Sequence, residues 1–239
     1  MYGKSGILKL LIFSGVEHTY QAWNGVPKVK LENDTAGMRK YVNNMASWGY
    51  IYGNHDDIDN IFNSNSRTYN LYSYKNETDN YWQENFQLHY SKEINNYLYA
   101  NVALHYTKGK GYYESLKTNS NFSKFNLPNA IFNTDTISSS DFITQKWLDN
   151  DFYGVTYSLN YNKNKINAVI GGGWNQYSGN HLGDIIWAKI VTFVSEKYRW
   201  YKGTGDKKDF NTFLKINYLL TNRLNLYACL LYTSPSPRD

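Results

Sequence analysis

The sequence predicts an all-β fold: an antiparallel transmembrane β-barrel fragment of about seven strands, with long extracellular loops and short periplasmic turns. Three observations predict it. Stretches of ten or so residues alternate between apolar and polar side chains, as in "LYANVALHYT" at 98–107. The connections between these stretches alternate strictly between long and short. Finally, the composition is 18% aromatic, with 24 Tyr and 7 Trp but 4 Pro. That suits pleated strands with amphipathic rings at a boundary.

The first strand is expected over about Gly6–Gly15 and is followed by a long polar, aromatic segment to about Asp79. The second is "NYWQENFQLHYSKEI", with Trp82, Phe86, Leu88 and Tyr90 at even positions. An Asn95–Asn96 turn leads into the third, where Leu98, Ala100, Val102, Leu104 and Tyr106 share one face and Tyr99, Asn101, Ala103, His105 and Thr107 the other. A second long gap covers about Gly109–Leu148. The fourth strand carries Tyr153, Val155, Tyr157, Leu159 and Tyr161 on one side, and "NKNK" turns it into the fifth, with Ile166, Ala168, Ile170, Gly172 and Trp174 aligned. A third gap runs to about Lys207. The sixth strand aligns Phe210, Thr212, Leu214, Ile216 and Tyr218, and "LTNR" turns it into the seventh, Leu224–Ala228. The short links have turn chemistry. Long structureless connections are rare in compact soluble domains, whereas short turns at one end and long loops at the other are the pattern of an outer-membrane barrel. The face of Leu98, Ala100, Val102 and Leu104 is therefore expected to meet lipid, and that of Asn101 and His105 a wet lumen.

The mean hydropathy of −0.63 is hydrophilic, and no run of eighteen apolar residues exists, so a transmembrane helix is not expected. A barrel strand is apolar only at alternate positions, so neither fact counts against a barrel. The formal charge of +5 is scattered over short Lys-containing stretches, which reads as solvated turns and not as a nucleic-acid surface. The single cysteine, Cys229, excludes a disulfide framework and a cysteine zinc cluster. "MYGKSGILKLLIFSG" fits a strand better than a signal peptide, because Lys9 interrupts the apolar run and no A-x-A-like site follows. Seven strands fall short of a closed, even-numbered barrel, so a piece of a larger barrel is expected. Residues 1–228 read as partial barrel and 229–239, "CLLYTSPSPRD", as a non-native read-through tail.

Candidate constellations are weighed one by one. "HDDIDN" (His55–Asn60) gathers oxygens and an imidazole that suit a calcium ion or a metal chelate. It lacks the glycine and distal glutamate of an EF-hand, and a solvated acidic loop is preferred. His89 and His105 lie on neighbouring strands; a wet lumen is preferred to a metal pair. "GTGD" and "GKGYY" lack the strand–helix context of a phosphate loop. "GGGW" within a strand implies a bulge, the close approach of another backbone such as a docked plug, or local curvature. Trp23, Trp48, Trp147, Trp187 and Trp200 lie in or beside long gaps, either stacking on a ligand or packing the loops. No nucleophile–base set or catalytic carboxylate pair stands out, so an enzyme is not expected. The sequence assigns no catalytic, cofactor-binding or metal-binding residue, and no cofactor.

Several stretches together resemble TonB-dependent outer-membrane receptors: "FSGVEHTYQAWNGVP" (Phe13–Pro27), "SRTYN" (Ser66–Asn70), "NETDNYWQENFQLHYS" (Asn76–Ser91), "LHYTKGKGYYE" (Leu104–Glu114), "KWLDNDFYGVTYSLNY" (Lys146–Tyr161), "GGGWNQYSGNHLGDIIWAK" (Gly171–Lys189) and "TGDKKDFNTFLKINYLLTNRLNLY" (Thr204–Tyr227). The resemblance covers nearly the whole chain before the tail, in the order found in the middle of such a barrel. It implies a bacterial outer-membrane location and energy-coupled import of a scarce ligand, such as an iron–siderophore complex, cobalamin or a glycan. The implied partners are outer-membrane lipid, a plug domain, the TonB energy-coupling complex and a small-molecule or glycan ligand. Neither plug nor TonB-contacting box is expected in this chain. The alternative is a soluble β-sandwich that binds carbohydrate, but it predicts turns of similar length at both ends.

Overall fold

The computed structural model describes residues 6–192 and 197–234. Its main body is one antiparallel, up-and-down sheet of seven strands in the order β1-β2-β3-β6-β7-β8-β9. The strands are β1 (Ile7–Tyr20), β2 (Thr78–Asn95), β3 (Leu98–Asn121), β6 (Ser139–Lys163), β7 (Ile166–Ala188), β8 (Tyr198–Thr221) and β9 (Leu224–Thr233). The long connection after β1 holds three helices, α1 (Lys28–Leu31), α2 (Thr35–Ser47) and α3 (His55–Asn63). Between β3 and β6 lie a 3-10 turn at Phe122–Phe125 and a small hairpin, β4 (Ala130–Phe132) with β5 (Asp135–Ile137).

All seven expected strands are present, but they are longer than the alternation suggested. β3 runs on to Asn121, β6 starts at Ser139, β7 reaches Ala188 and β8 starts at Tyr198. Much of the second and third gaps is therefore strand, paired from Gly109↔Asn150 up to Lys117↔Phe142. These extensions have no consistent apolar face, so periodicity is blind to them while backbone pairing continues. The alternation ends the last strand at Ala228, whereas β9 continues to Thr233, opposite Asn211. Residues 235–239 of the expected tail lie outside the described residues.

The register sorts the side chains into two faces. On one, Leu88, Leu104 and Val155 align across β2, β3 and β6, as do Tyr90, Val102 and Tyr157. Aromatic pairs mark its loop-side edge: Phe86–Tyr106 stacked at 6.0 Å and Tyr153–Trp174 at 6.0 Å. Just beyond come charges, with Lys108 Nζ 2.8 Å from Asp149 and 3.1 Å from Asp151. From Leu98 to Tyr106 the strand advances about 26 Å at the usual rise per residue. Tilted as barrel strands are, that nearly spans the apolar band of a barrel, about 25 Å tall.

This banded face finds no protein partner among the described residues. Ile12, Val102 and Leu104 remain 62%, 41% and 50% exposed. The buried apolar clusters lie at the loop end instead. One joins the helices, around Met38, Val42, Ile61 and Leu71; the other joins Phe122, Phe125, Phe142 and Ile185. The chain exposes 16080 Å², against about 11,000 Å² for a compact soluble protein of its mass. A β-sandwich would cover the banded face with a second sheet. Here the other sheet among the described residues is the two-stranded β4–β5 hairpin.

The helices correct the expectation of an unstructured first gap. Asp34 caps α2 by accepting from the Gly37 N–H at 2.9 Å. Asn54 and Asp57 form a reciprocal capping box on α3. "HDDIDN" is thus the first turns of a helix, and the Asp57 carboxylate is occupied by the Gly53 N–H at 2.7 Å and the Asn54 N–H at 3.3 Å.

Candidate functional site

The face opposite the band is polar, and its middle forms a concavity of about 560 Å³. His89, Asn101, Thr156, Ser158, Asn175 and Asn211 contribute to its wall. Strand alternation puts them there, and they satisfy one another in rows across the sheet. Ser91 donates to Asn101 at 2.8 Å and Asn101 to Ser158 at 3.1 Å. His105 Nε2 lies 3.0 Å from Asn175 Oδ1, and Asn175 donates to Asp209 at 3.3 Å. Both histidines expected on a wet lumen line this face, but each bonds an amide: His89 lies 3.1 Å from Gln87. Among the described residues no group of three or more His, Cys, Asp or Glu is placed to hold a metal ion.

The "GGGW" glycines sit in regular pairing, with no register shift at Gly171–Gly173. A Cβ on Gly171 would meet the Phe213 ring at 2.8 Å, and one on Gly172 would meet Asn211 O at 2.3 Å and the Tyr157 hydroxyl at 2.9 Å. Cross-strand rings and backbone fill the space that a side chain would take. Of the three readings the sequence leaves open, the bulge is absent here, and at Gly171 and Gly172 neighbouring strands make a close approach.

Toward the loop end, the polar face leads to a second pocket of about 220 Å³ under the helical cap. Trp23, Tyr50, Tyr72, Glu77, Tyr113 and Lys117 line it. Trp23 meets Tyr113 edge-on at 5.7 Å, and Lys117 Nζ lies 5.7 Å from the Tyr50 ring centre. The cap is tied down by the Thr118 hydroxyl donating to Ile51 O at 2.8 Å and the Tyr52 hydroxyl to Asp141 at 3.2 Å. Glu77 is 1% exposed and accepts from the Leu116 N–H at 3.1 Å. Burial pushes Glu77 above the ordinary carboxylate range and Lys117 below the ordinary amine range. Burial, helped by the Glu77 charge, pushes Tyr72 up to about 12.

Of the five tryptophans singled out by sequence, Trp23 alone borders this pocket. Trp48 packs edge-on against Tyr50, Trp147 lies 4.4 Å from Tyr112, and Trp200 lies 5.2 Å from Phe125. Trp187 stands 45% exposed opposite Ile143. Sequence reasoning missed Glu77 and Lys117; a lone acid and a lone base forty residues apart carry no local signal.

Glu77 supplies a pH test. A folded-state value above the unfolded one gives stability that is full below the unfolded value and lost as pH rises through the folded value. Hydrogen exchange at the cap is expected to slow as pH falls from neutral toward the ordinary carboxylate range, after correction for intrinsic rates. Glu77→Gln keeps an acceptor for the Leu116 N–H and is expected to flatten that dependence. An unchanged profile in the variant would assign it to another group.

A sheet with a lipid-suited band outside, hydrogen-bonding rows inside, short turns at one end and a folded cap at the other is the wall of a β-barrel. No protein-family model matches the chain, and no curated protein matches it. Among solved structures it is similar to the ferric-catecholate import receptor Fiu of E. coli K12 in its closed form, at a TM-score of 0.53 and 12% identity. The match covers 95% of this chain, which spans 31% of that receptor. The likeness is one of fold: the two share a related barrel.

Proposed function

We propose that the chain is barrel wall from a TonB-dependent receptor of the bacterial outer membrane, importing a scarce ligand such as an iron–siderophore complex. The observation that carries this reading is the banded face, apolar and uncovered between an aromatic row and a turn-end rim, on a sheet whose other face is lined with hydrogen-bonding side chains. The fold shared with an import receptor supports it further. In this reading the cap pocket meets the ligand first, with aromatic rings and Lys117. The polar face then offers exchangeable hydrogen bonds along a wet path. The partners are outer-membrane lipid, a plug inside the closed barrel and the TonB complex that supplies energy. Residues 1–228 are barrel wall, and 229–239 are a read-through tail whose first residues lengthen β9 along its edge.

The expressed chain is expected to collect in inclusion bodies and to refold only with detergent or lipid. A soluble monomer with a cooperative melt in plain buffer would overturn the barrel reading. In a completed barrel on intact cells, tags at Asn95–Asn96, Asn164 and Thr221 are expected to be shielded, and tags at Asn63, Ser123 and Ile190 to be reachable. Gly203 is unsuited to such a tag because it lies within β8, opposite His181. Both groups of tags on one side would contradict the topology. Ligand-dependent uptake by cells carrying the completed receptor tests transport itself.

A further inference from the structure

The cap between β1 and β2 is a body with its own core. Every apolar side chain of that core, and of the layer packed against it, comes from residues 26–72, with Met38, Val42, Ile61 and Leu71 among them. The two ends of the cap leave the sheet side by side. The Gln21 N–H donates to Glu77 O at 2.8 Å, and the Tyr20 hydroxyl to Tyr72 O at 3.0 Å and Tyr74 O at 2.7 Å. Away from that neck, the hydrogen bonds that tie the cap to β3 and β6 among the described residues come from one segment, 49–52. The Thr118 N–H donates to Gly49 O at 3.3 Å, the Thr118 hydroxyl to Ile51 O and the Tyr52 hydroxyl to Asp141. Gly49 allows the approach, since a Cβ there would meet Thr118 O at 2.9 Å. The cap pocket lies between neck and tie, and its walls are shared. Trp23, Asn24, Tyr50 and Tyr72 come from the cap, and Tyr113, Ser115 and Lys117 from β3. Ser115 and Glu77, on the sheet side, are buried.

We propose that the cap is a lid. It swings as a folded unit about the neck at Gln21 and Glu77, and the 49–52 tie is the latch that opens and closes the pocket. An apolar seam between cap and sheet would make every opening expose buried apolar surface. This latch is polar. Its hydrogen bonds are exchanged for bonds to water on opening, so each holds the lid only modestly. The neck continues the β1–β2 ladder, where Tyr20 pairs with Thr78, and stays joined as the latch opens. The proposal rests on the reading of the pocket as the first stop of an imported ligand: the ligand enters with the latch open, and closure brings Tyr50 over it, against Tyr113 and Lys117.

The test is thiol labelling of the full chain refolded in detergent, with Cys229→Ser and one reporter thiol. Ser115→Cys places the reporter on the pocket wall, where labelling is expected to be slow while the latch is shut. Losing one hydrogen bond of ordinary net strength raises the open fraction about fivefold. Tyr52→Phe is therefore expected to speed labelling about fivefold, and Tyr52→Phe with Thr118→Val about 25-fold. A second reporter, Val42→Cys, lies in the cap core, where Val42 is fully buried. It is expected to label slowly and at a rate the latch variants leave unchanged, because a lid swings without unfolding. Equal acceleration of both reporters would mean that the cap melts, and would overturn the lid. A pocket reporter indifferent to the latch variants would overturn it as well. Either result leaves the barrel reading intact. Immediate labelling of the pocket reporter alone, with the latch unaltered, would mean that the pocket stands open, and would overturn the lid but not the pocket. Immediate labelling of both reporters would mean that no cap is folded over the wall, and would overturn the lid and the ligand pocket together.

Discussion

In a completed barrel, Val102→Arg is expected to destabilise by about 2–4 kcal/mol, the cost of an arginine on the lipid face at the bilayer midplane. Val102 lies midway between Leu98 and Tyr106 on the banded face and pairs with Tyr90 and Tyr157. The neighbouring Ala103 points the other way, opposite His89 and Thr156, on the wall of the polar concavity. An arginine there stays hydrated, so Ala103→Arg is expected to cost far less. Equilibrium unfolding from lipid vesicles measures both. A one-residue slip exchanges the faces of a strand, so the reverse order of effects would mean that the register is wrong. Equal, severe effects would mean a strand buried on both sides.

Phe142→Ala is expected to cost about 3–5 kcal/mol, the range for truncating a fully buried aromatic, and the loss should stay local. Phe142 is 0% exposed. Its ring lies 5.7 Å from Phe122 and 4.7 Å from Phe125, which in turn meets Trp200 at 5.2 Å. This cluster fastens the 3-10 turn to the far ends of β6, β7 and β8. Hydrogen exchange should quicken across residues 139–145 and 182–188 and stay unchanged around Tyr153–Tyr161. A uniform loss along β6 would show that the extension and the banded sheet unfold as one unit.

These two sites mark the boundary of what sequence patterning reveals. Val102 is legible because lipid and water impose opposite demands on alternate residues, and that demand is written into every strand between its turn and its aromatic row. Phe142 is not legible, because it sits where both faces of the extension meet a mixture of water, loop and cap. Helix α2 falls between the two cases. Met38, Val42 and Met45 repeat at helical spacing after the Asp34 cap, a signal masked by the Tyr- and Asn-rich composition around it. The acidic run at His55 carries, besides its charge, the Asn54–Asp57 capping box that starts a helix.

The seven strands of the main sheet, the end with the short turns and the apolar face are all legible in the residues themselves. Each of these follows from local periodicity and turn chemistry, which need no knowledge of distant partners. The length of the strands, the folding of the first loop into a helical cap, the β4–β5 hairpin and the meeting of Trp23, Glu77, Tyr113 and Lys117 in one pocket emerge only in three dimensions. The physical reason is range. Pairing beyond the band is held by backbone hydrogen bonds that any side chain permits, and the pocket joins residues far apart in sequence through contacts made only once the strands are in register.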